Sequence, residues 1–104
     1  MKKLTAIVAA CLLSASACAA EGNAEAAKDK VTMCKGCHGI AGYKASFPRV
    51  YYVPKIGEQQ SAYIVKALEA YKSGERIHPT MRAIAVGLSE QDIADIAAYY
   101  GAAK

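Results

Sequence analysis

Residues 33–39 read MCKGCHG: Met33, Cys34, Lys35, Gly36, Cys37, His38, Gly39. Two cysteines two residues apart, with a histidine directly after the second, admit four chemistries: a disulfide, a redox dithiol, half of a zinc site, or the attachment point of a haem. Cysteines three positions apart on a helical turn share one side, where their sulfurs can add across both vinyl groups of one haem. The next residue, a histidine, then lies under the iron as proximal ligand, which is why C-x-x-C-H reads as c-type haem attachment. Each competitor needs something this chain lacks. A structural zinc site takes four ligands, and the other histidine, His78, has no cysteine near it. A thioredoxin-like dithiol sits in a βαβ setting, for which there is no pattern, and a plain disulfide leaves His38 unexplained.

Toward the start of the chain, Met1-Lys2-Lys3 precedes an uncharged run over 4–20 that is rich in alanine. This is the basic n-region and apolar h-region of an export signal. The run is shorter than the ~20 residues that span a bilayer and poor in leucine, so it reads as a cleaved leader over 1–20, cut within Ala17-Cys18-Ala19-Ala20. The remaining domain is 21–104, and its expected location is the periplasm. Cys18, just past the apolar run, also offers an acylation site for a lipid-anchored form. Ala15, three residues earlier, is a poor match for the large aliphatic residue expected there.

Of the four cysteines, Cys11 and Cys18 go with the leader. Cys34 and Cys37 remain, in an oxidising compartment where such a pair is a disulfide, a redox centre or an attachment point. A domain this short has a thin apolar core and needs a staple. The formal charge of +4 includes Lys2 and Lys3, and the other basic residues are scattered among acids. No dense basic stripe is present, so nucleic-acid binding has no support, while a mild positive face toward an acidic protein partner does.

Asn23 is placed to cap a first helix over about 24–34, with Glu25 suited to its dipole. Residues 39–57 carry Gly39, Gly42, Pro48, Pro54 and Gly57, too many breakers for regular structure, and are expected to be a long loop that wraps something. Ile64, Ala67, Leu68 and Tyr71 then follow the i, i+3, i+4, i+7 spacing of one helical face within 58–73, which Gly74 ends. A second loop is expected over 74–88. Ser89 and Asp92 make a near capping box, and Ile93, Ile96, Ala97 and Tyr100 repeat the helical spacing. Three helices and two long loops, with no strand alternation, make an all-α domain.

An electron-carrying haem iron is usually six-coordinate, so a second axial ligand is expected from the far part of the chain. His78 and Met81 are the candidates. Met33 is on the same helical end as the attachment site, and Met1 leaves with the leader. Met81 is favoured because it stands in a loop just past Pro79, beyond a helix that carries the chain round the haem; His78 is then a surface residue. His/His ligation would give the lower potential.

Several motifs in order, Cys34-Lys-Gly-Cys37-His38-Gly39, Pro54-Lys-Ile56-Gly57-Glu-Gln59, Tyr71-Lys-Ser-Gly74-Glu-Arg76, Pro79-Thr-Met81, and Leu88-Ser89-Glu-Gln-Asp92-Ile93 with Ala97-Ala98-Tyr99-Tyr100, resemble a class I cytochrome c. The likeness is to small bacterial single-haem members and to either half of the two-haem ones. It implies three to four helices wrapped round one covalently bound haem c per chain, with the first and last helices crossing through Ala27, Val31, Ile96, Tyr99 and Tyr100. It also implies that the Pro54 carbonyl accepts a hydrogen bond from the free ring nitrogen of His38. Arg49, Tyr51, Tyr52 and Arg76 are candidate propionate partners. One departure stands out: relatives carry Pro-x-Leu-Ala-Gly-Gln, whereas here the glycine comes one place earlier, at Gly57, so the turn into the second helix is expected to differ.

The resemblance implies an electron-transfer protein, not an enzyme: a monomeric carrier between redox protein partners, such as cytochromes and oxidase or reductase complexes, that meets the membrane only through them. Lys35 and Lys44 are candidates for steering an acidic partner. Other readings are a haem-binding subunit fixed to a larger oxidase or reductase, and a haem enzyme or gas sensor, which needs an open distal position.

Overall fold

The computed structural model describes residues 20–102. The leader read over 1–20 lies outside the described residues apart from Ala20, as do Cys11 and Cys18. In chain order the elements are a 3-10 helix at Ala26–Asp29, α1 at Thr32–His38, β1 at Lys44–Ala45, β2 at Tyr51–Tyr52, α2 at Ser61–Ser73, α3 at Pro79–Ala85 and α4 at Glu90–Ala102. Among the described residues no helix is long and apolar enough to cross a membrane.

The single first helix expected from Asn23 is in fact two pieces. Asn23 does accept from the amides of Glu25 and Ala26 through its side-chain oxygen, at 3.0 and 3.2 Å. The 3-10 helix it starts ends at Asp29, with Lys30 as its C-cap, and Val31, with ψ near 2°, joins it to α1. Val31 and Thr32 are consecutive β-branched residues, which lose side-chain freedom in a helix. Cys34, Cys37 and His38 therefore lie within their own short helix rather than at the end of a long one.

Both expected loops hold short elements that the sequence reading left out. Lys44 and Ala45 pair antiparallel with Tyr52 and Tyr51, and Lys44 Nζ sits 4.7 Å over the Tyr52 ring. Two-residue strands are too brief for apolar alternation to show. Pro79 occupies the first turn of α3, where its missing N–H costs nothing.

The two long helices match expectation closely. At the end of α2, Gly74 takes φ +85°, a conformation open to glycine at little cost. At the start of α4, Ser89 Oγ accepts from the Asp92 amide at 3.0 Å while Asp92 Oδ2 accepts from the Ser89 amide at 2.9 Å, which is a reciprocal capping box.

α4 is the centre of the packing, against α2 on one side and the 3-10 helix on the other. Ala27, Val31, Ile64, Leu68, Ile93, Ile96, Ala97 and Tyr100 form the buried cluster, and Tyr99 packs partly buried against it. The expected crossing of the first and last helices thus uses the expected residues, but the 3-10 helix rather than α1 supplies the first partner. Gly22 lets the chain approach α4 closely, since a Cβ there would overlap the Ala94 carbonyl oxygen.

An ion cluster ties the same crossing together. Asp95 is only 2% exposed. Its Oδ2 lies 2.7 Å from Lys30 Nζ, and its Oδ1 accepts from the Asn23 amide and Gln91 Nε2, each at 2.8 Å. Lys30 Nζ also lies 2.8 Å from Asp92 Oδ1. Hydrogen bonding from Lys30 first, then from the Asn23 amide and Gln91, holds the Asp95 carboxyl at a pKa of about 2.

Candidate functional site

Beside this packed cluster, and sharing Lys30, Ile64, Leu68 and Ile96 with it, is a cavity of about 1040 Å³, to which α1, the 39–57 segment, α2, α3 and α4 all contribute. That volume is at the upper end for cofactor-sized sites. Cys34, Cys37, His38, Pro54 and Met81 all line it, with Ile64 and Leu68 among its apolar walls. The two cysteines are half-buried and not joined to each other, and burial pushes the Cys34 thiol pKa up. They are three positions apart on α1, as two attachment sulfurs on one side of a helix must be. Among the described residues no three His, Cys, Asp or Glu side chains are grouped to hold a metal ion between them, as a closed zinc site would require.

His38 Nδ1 lies 2.6 Å from the Pro54 carbonyl oxygen. A carbonyl can only accept, so Nδ1 carries a proton, and in the neutral ring Nε2 is then the acceptor. The 39–57 segment fixes that tautomer by bringing Pro54 back to the end of α1. Such a bond orients the ring and raises its basicity as a ligand.

Met81 is half-buried in the first turn of α3 and packs against the core. His78 is not the surface residue the sequence suggested. It is half-buried, lines the same cavity, and accepts the Met81 amide on Nδ1 at 3.2 Å. Its ring meets Tyr51 and Tyr71 edge-on, at centroid distances of 5.3 and 6.1 Å. The signal was present in His78-Pro79, a cap followed by a proline at the first helical position.

Of the four candidate propionate partners, Arg49, Tyr51 and Arg76 line the cavity, whereas Tyr52 lies under Lys44 and does not. Arg76 stacks 4.8 Å from the Tyr71 ring centroid and donates to Tyr63 Oη at 3.4 Å. Lys35 lies over the Tyr99 ring at 5.2 Å, and neither it nor Lys44 is among the residues that line the cavity. Phe47, Tyr63 and Ile77 line it as well, and sequence reasoning singled out none of the three. The expected departure before α2 has a definite form: Glu58, at the place of the relatives' glycine, has φ +70°. Its amide donates to the Tyr100 carbonyl at 3.2 Å, tying this turn to α4.

Residues 19–100 match the family model for cytochrome c. Cytochrome c-554(548) of Halomonas halodenitrificans is 39% identical over 82 residues, covering 76% of this chain and 94% of its own length. Cytochrome c4 of Pseudomonas aeruginosa is 36% identical, covering 82% of this chain but 40% of its own. The crystal structure of reduced cytochrome c4 from Pseudomonas stutzeri superposes with a TM-score of 0.63 at 35% identity, over 80% of this chain and 46% of that one. The chain therefore spans less than half the length of the cytochrome c4 relatives and nearly all of cytochrome c-554(548). With the fold, the cavity and Cys34-x-x-Cys37-His38 in agreement with these matches, the chain belongs to the cytochrome c family of electron-transfer proteins, which carry covalently attached haem c.

Proposed function

We propose that this chain is a periplasmic one-electron carrier for respiratory redox complexes, with His38 and Met81 as the two axial ligands of one haem c. The observation that carries the reading is the convergence of both thiols, His38 and Met81 on one cavity. Haem c supplies the ferric/ferrous couple there. The protein's own part is to hold two neutral donors in fixed positions. Pro54 keeps a proton on Nδ1 of His38, so that in the neutral ring Nε2 holds the free lone pair. Met81 offers a thioether, a soft, weak donor that favours the ferrous state and so raises the potential. The apolar walls, including Ile64 and Leu68, exclude water, which keeps rearrangement between the two redox states small. The exposed Lys35 and Lys44 support steering of an acidic partner at a small transient contact.

Replacement of Met81 tests the ligand set. In Met81→Ala the methionine-to-iron charge-transfer band of the ferric protein should vanish and the midpoint potential should fall. If both stay as in the parent, Met81 is not the ligand and His78 becomes the candidate.

The partial coverage of cytochrome c4 supports a second reading, in which this domain is held beside another haem domain or within a larger oxidase or reductase. Recovery as a free monomer from the periplasmic fraction supports the carrier; recovery only in a larger complex supports the fixed subunit.

A further inference from the structure

We propose that His78 is a positioning residue for Met81: it caps α3 and anchors that helix to two other walls of the cavity. The proposal rests on the reading of Met81 as a ligand. Its basis is a set of contacts around one imidazole. His78 is the residue before Pro79, in extended backbone at φ −158°, and its Nδ1 accepts the Met81 amide at 3.2 Å. Ordinary caps at this position are Asn, Asp, Ser or Thr, whose short side chains reach the free amides and nothing further. An imidazole accepts the same amide with one edge and still presents a ring to its surroundings.

Tyr51 of β2 and Tyr71 of α2 meet that ring at interplanar angles of 82° and 76°. Both are edge-to-face arrangements, the favoured geometry for aromatic pairs. Tyr71 is itself covered by Arg76, which reaches Tyr63. One side chain thus connects the amide of Met81 to the hairpin and to α2. α3 has only two turns, too short to hold its own shape, and α2 is its main packing partner. A methionine on so short a helix is positioned by its cap and by whatever the cap leans on. Because Nδ1 accepts from the Met81 amide, the neutral ring carries its proton on Nε2.

The test uses ferric holoprotein and added imidazole, which competes with Met81 for the iron and is followed by loss of the charge-transfer band. Loss of a cap costs a factor of about five, so His78→Ala should bind imidazole about fivefold more tightly than the parent. His78→Asn, which can still accept the amide but cannot reach Tyr51 and Tyr71, should fall between the parent and His78→Ala. If His78→Ala does not accumulate as holoprotein, His78→Asn against His78→Gln asks the same question, since glutamine is polar but a poor cap. Asp95→Asn, in the remote ion cluster, is the control for general loss of stability.

Parental affinity in His78→Ala overturns the proposal, as does an asparagine variant no better than alanine or glutamine. An equal rise in Asp95→Asn overturns it too. A Met81→Ala protein that keeps its band defeats the ligand reading itself. Loss of the band in Met81→Ala beside a parental His78→Ala defeats only the positioning role.

Discussion

The two sides of this molecule are built differently. On one, the 3-10 helix, α4 and the facing part of α2 bury Ala27, Val31, Ile93 and Ala97 against one another, and Lys30 and Asp95 pair across the crossing. On the other, residues 39–57 and 74–88 supply two-residue strands, a short helix and large apolar side chains at the cavity, with Phe47 65% and Ile77 91% exposed. The first side is held by its own side chains. The second is organised round a site, so its order is tied to what that site holds.

Removal of the attachment should therefore separate the two. In a Cys34→Ser, Cys37→Ser protein, amides of 39–57 and 79–85 should lose hydrogen-exchange protection, while those of α4 keep more of theirs. A bound group present at 1,000 times its dissociation constant stabilises by about 4 kcal/mol, and covalent attachment should exceed that. Equal loss on both sides would remove the distinction.

Within the packed side, Ile93 is 2% exposed, and Ile93→Ala should cost about 2–5 kcal/mol in denaturant unfolding. A cost below about 1 kcal/mol would mean that this side is not self-supporting.

The ion cluster gives the packed side a pH signature. A carboxyl held at about 2 when folded and near ~3.9 when unfolded binds fewer protons in the native state. Its contribution is present above about pH 4 and is lost as pH falls through 2. Asp92, held at about 2 by the Lys30 and Ser89 hydrogen bonds, behaves alike. Thermal melts of Asp95→Asn should be flatter than the parent's between pH 4 and 2; an unchanged slope would discard the assignment.

The smallest effect is expected at the junction of the two sides. Glu58 has φ +70°, which costs an L-residue roughly 1–2 kcal/mol. Glu58→Gly relieves that at the expense of a more flexible unfolded chain, so a net gain of about 0.5–1 kcal/mol is expected. A loss would show that the Glu58 side chain contributes something beyond its backbone.

Much of the site was legible along the chain because it is local. Cys34, Cys37 and His38 are neighbours on one short helix, so their spacing marks the C-x-x-C-H group, and the lack of zinc partners or a βαβ pattern elsewhere in the sequence selects haem attachment. α2 and α4 were equally readable, since 13 residues of helix leave a repeating apolar face and a glycine or a capping box at an end. The hairpin and α3 were not. Elements of two and seven residues carry too little periodicity, and contacts with the rest of the molecule stabilise them.

What the residue order settled about this protein was the covalent chemistry at Cys34 and Cys37, the all-α class and the family. What only the tertiary structure decided was which distant groups meet. The hydrogen bond from His38 to Pro54 was already implied by the family resemblance, whereas Asp95 and Lys30 closing the crossing of α4 with the 3-10 helix, and His78 turning inward to hold the Met81 amide instead of lying on the surface, were not. Spacing determines neighbours within a helical turn, but contacts between remote segments depend on how loops close and which side chains can share the interior.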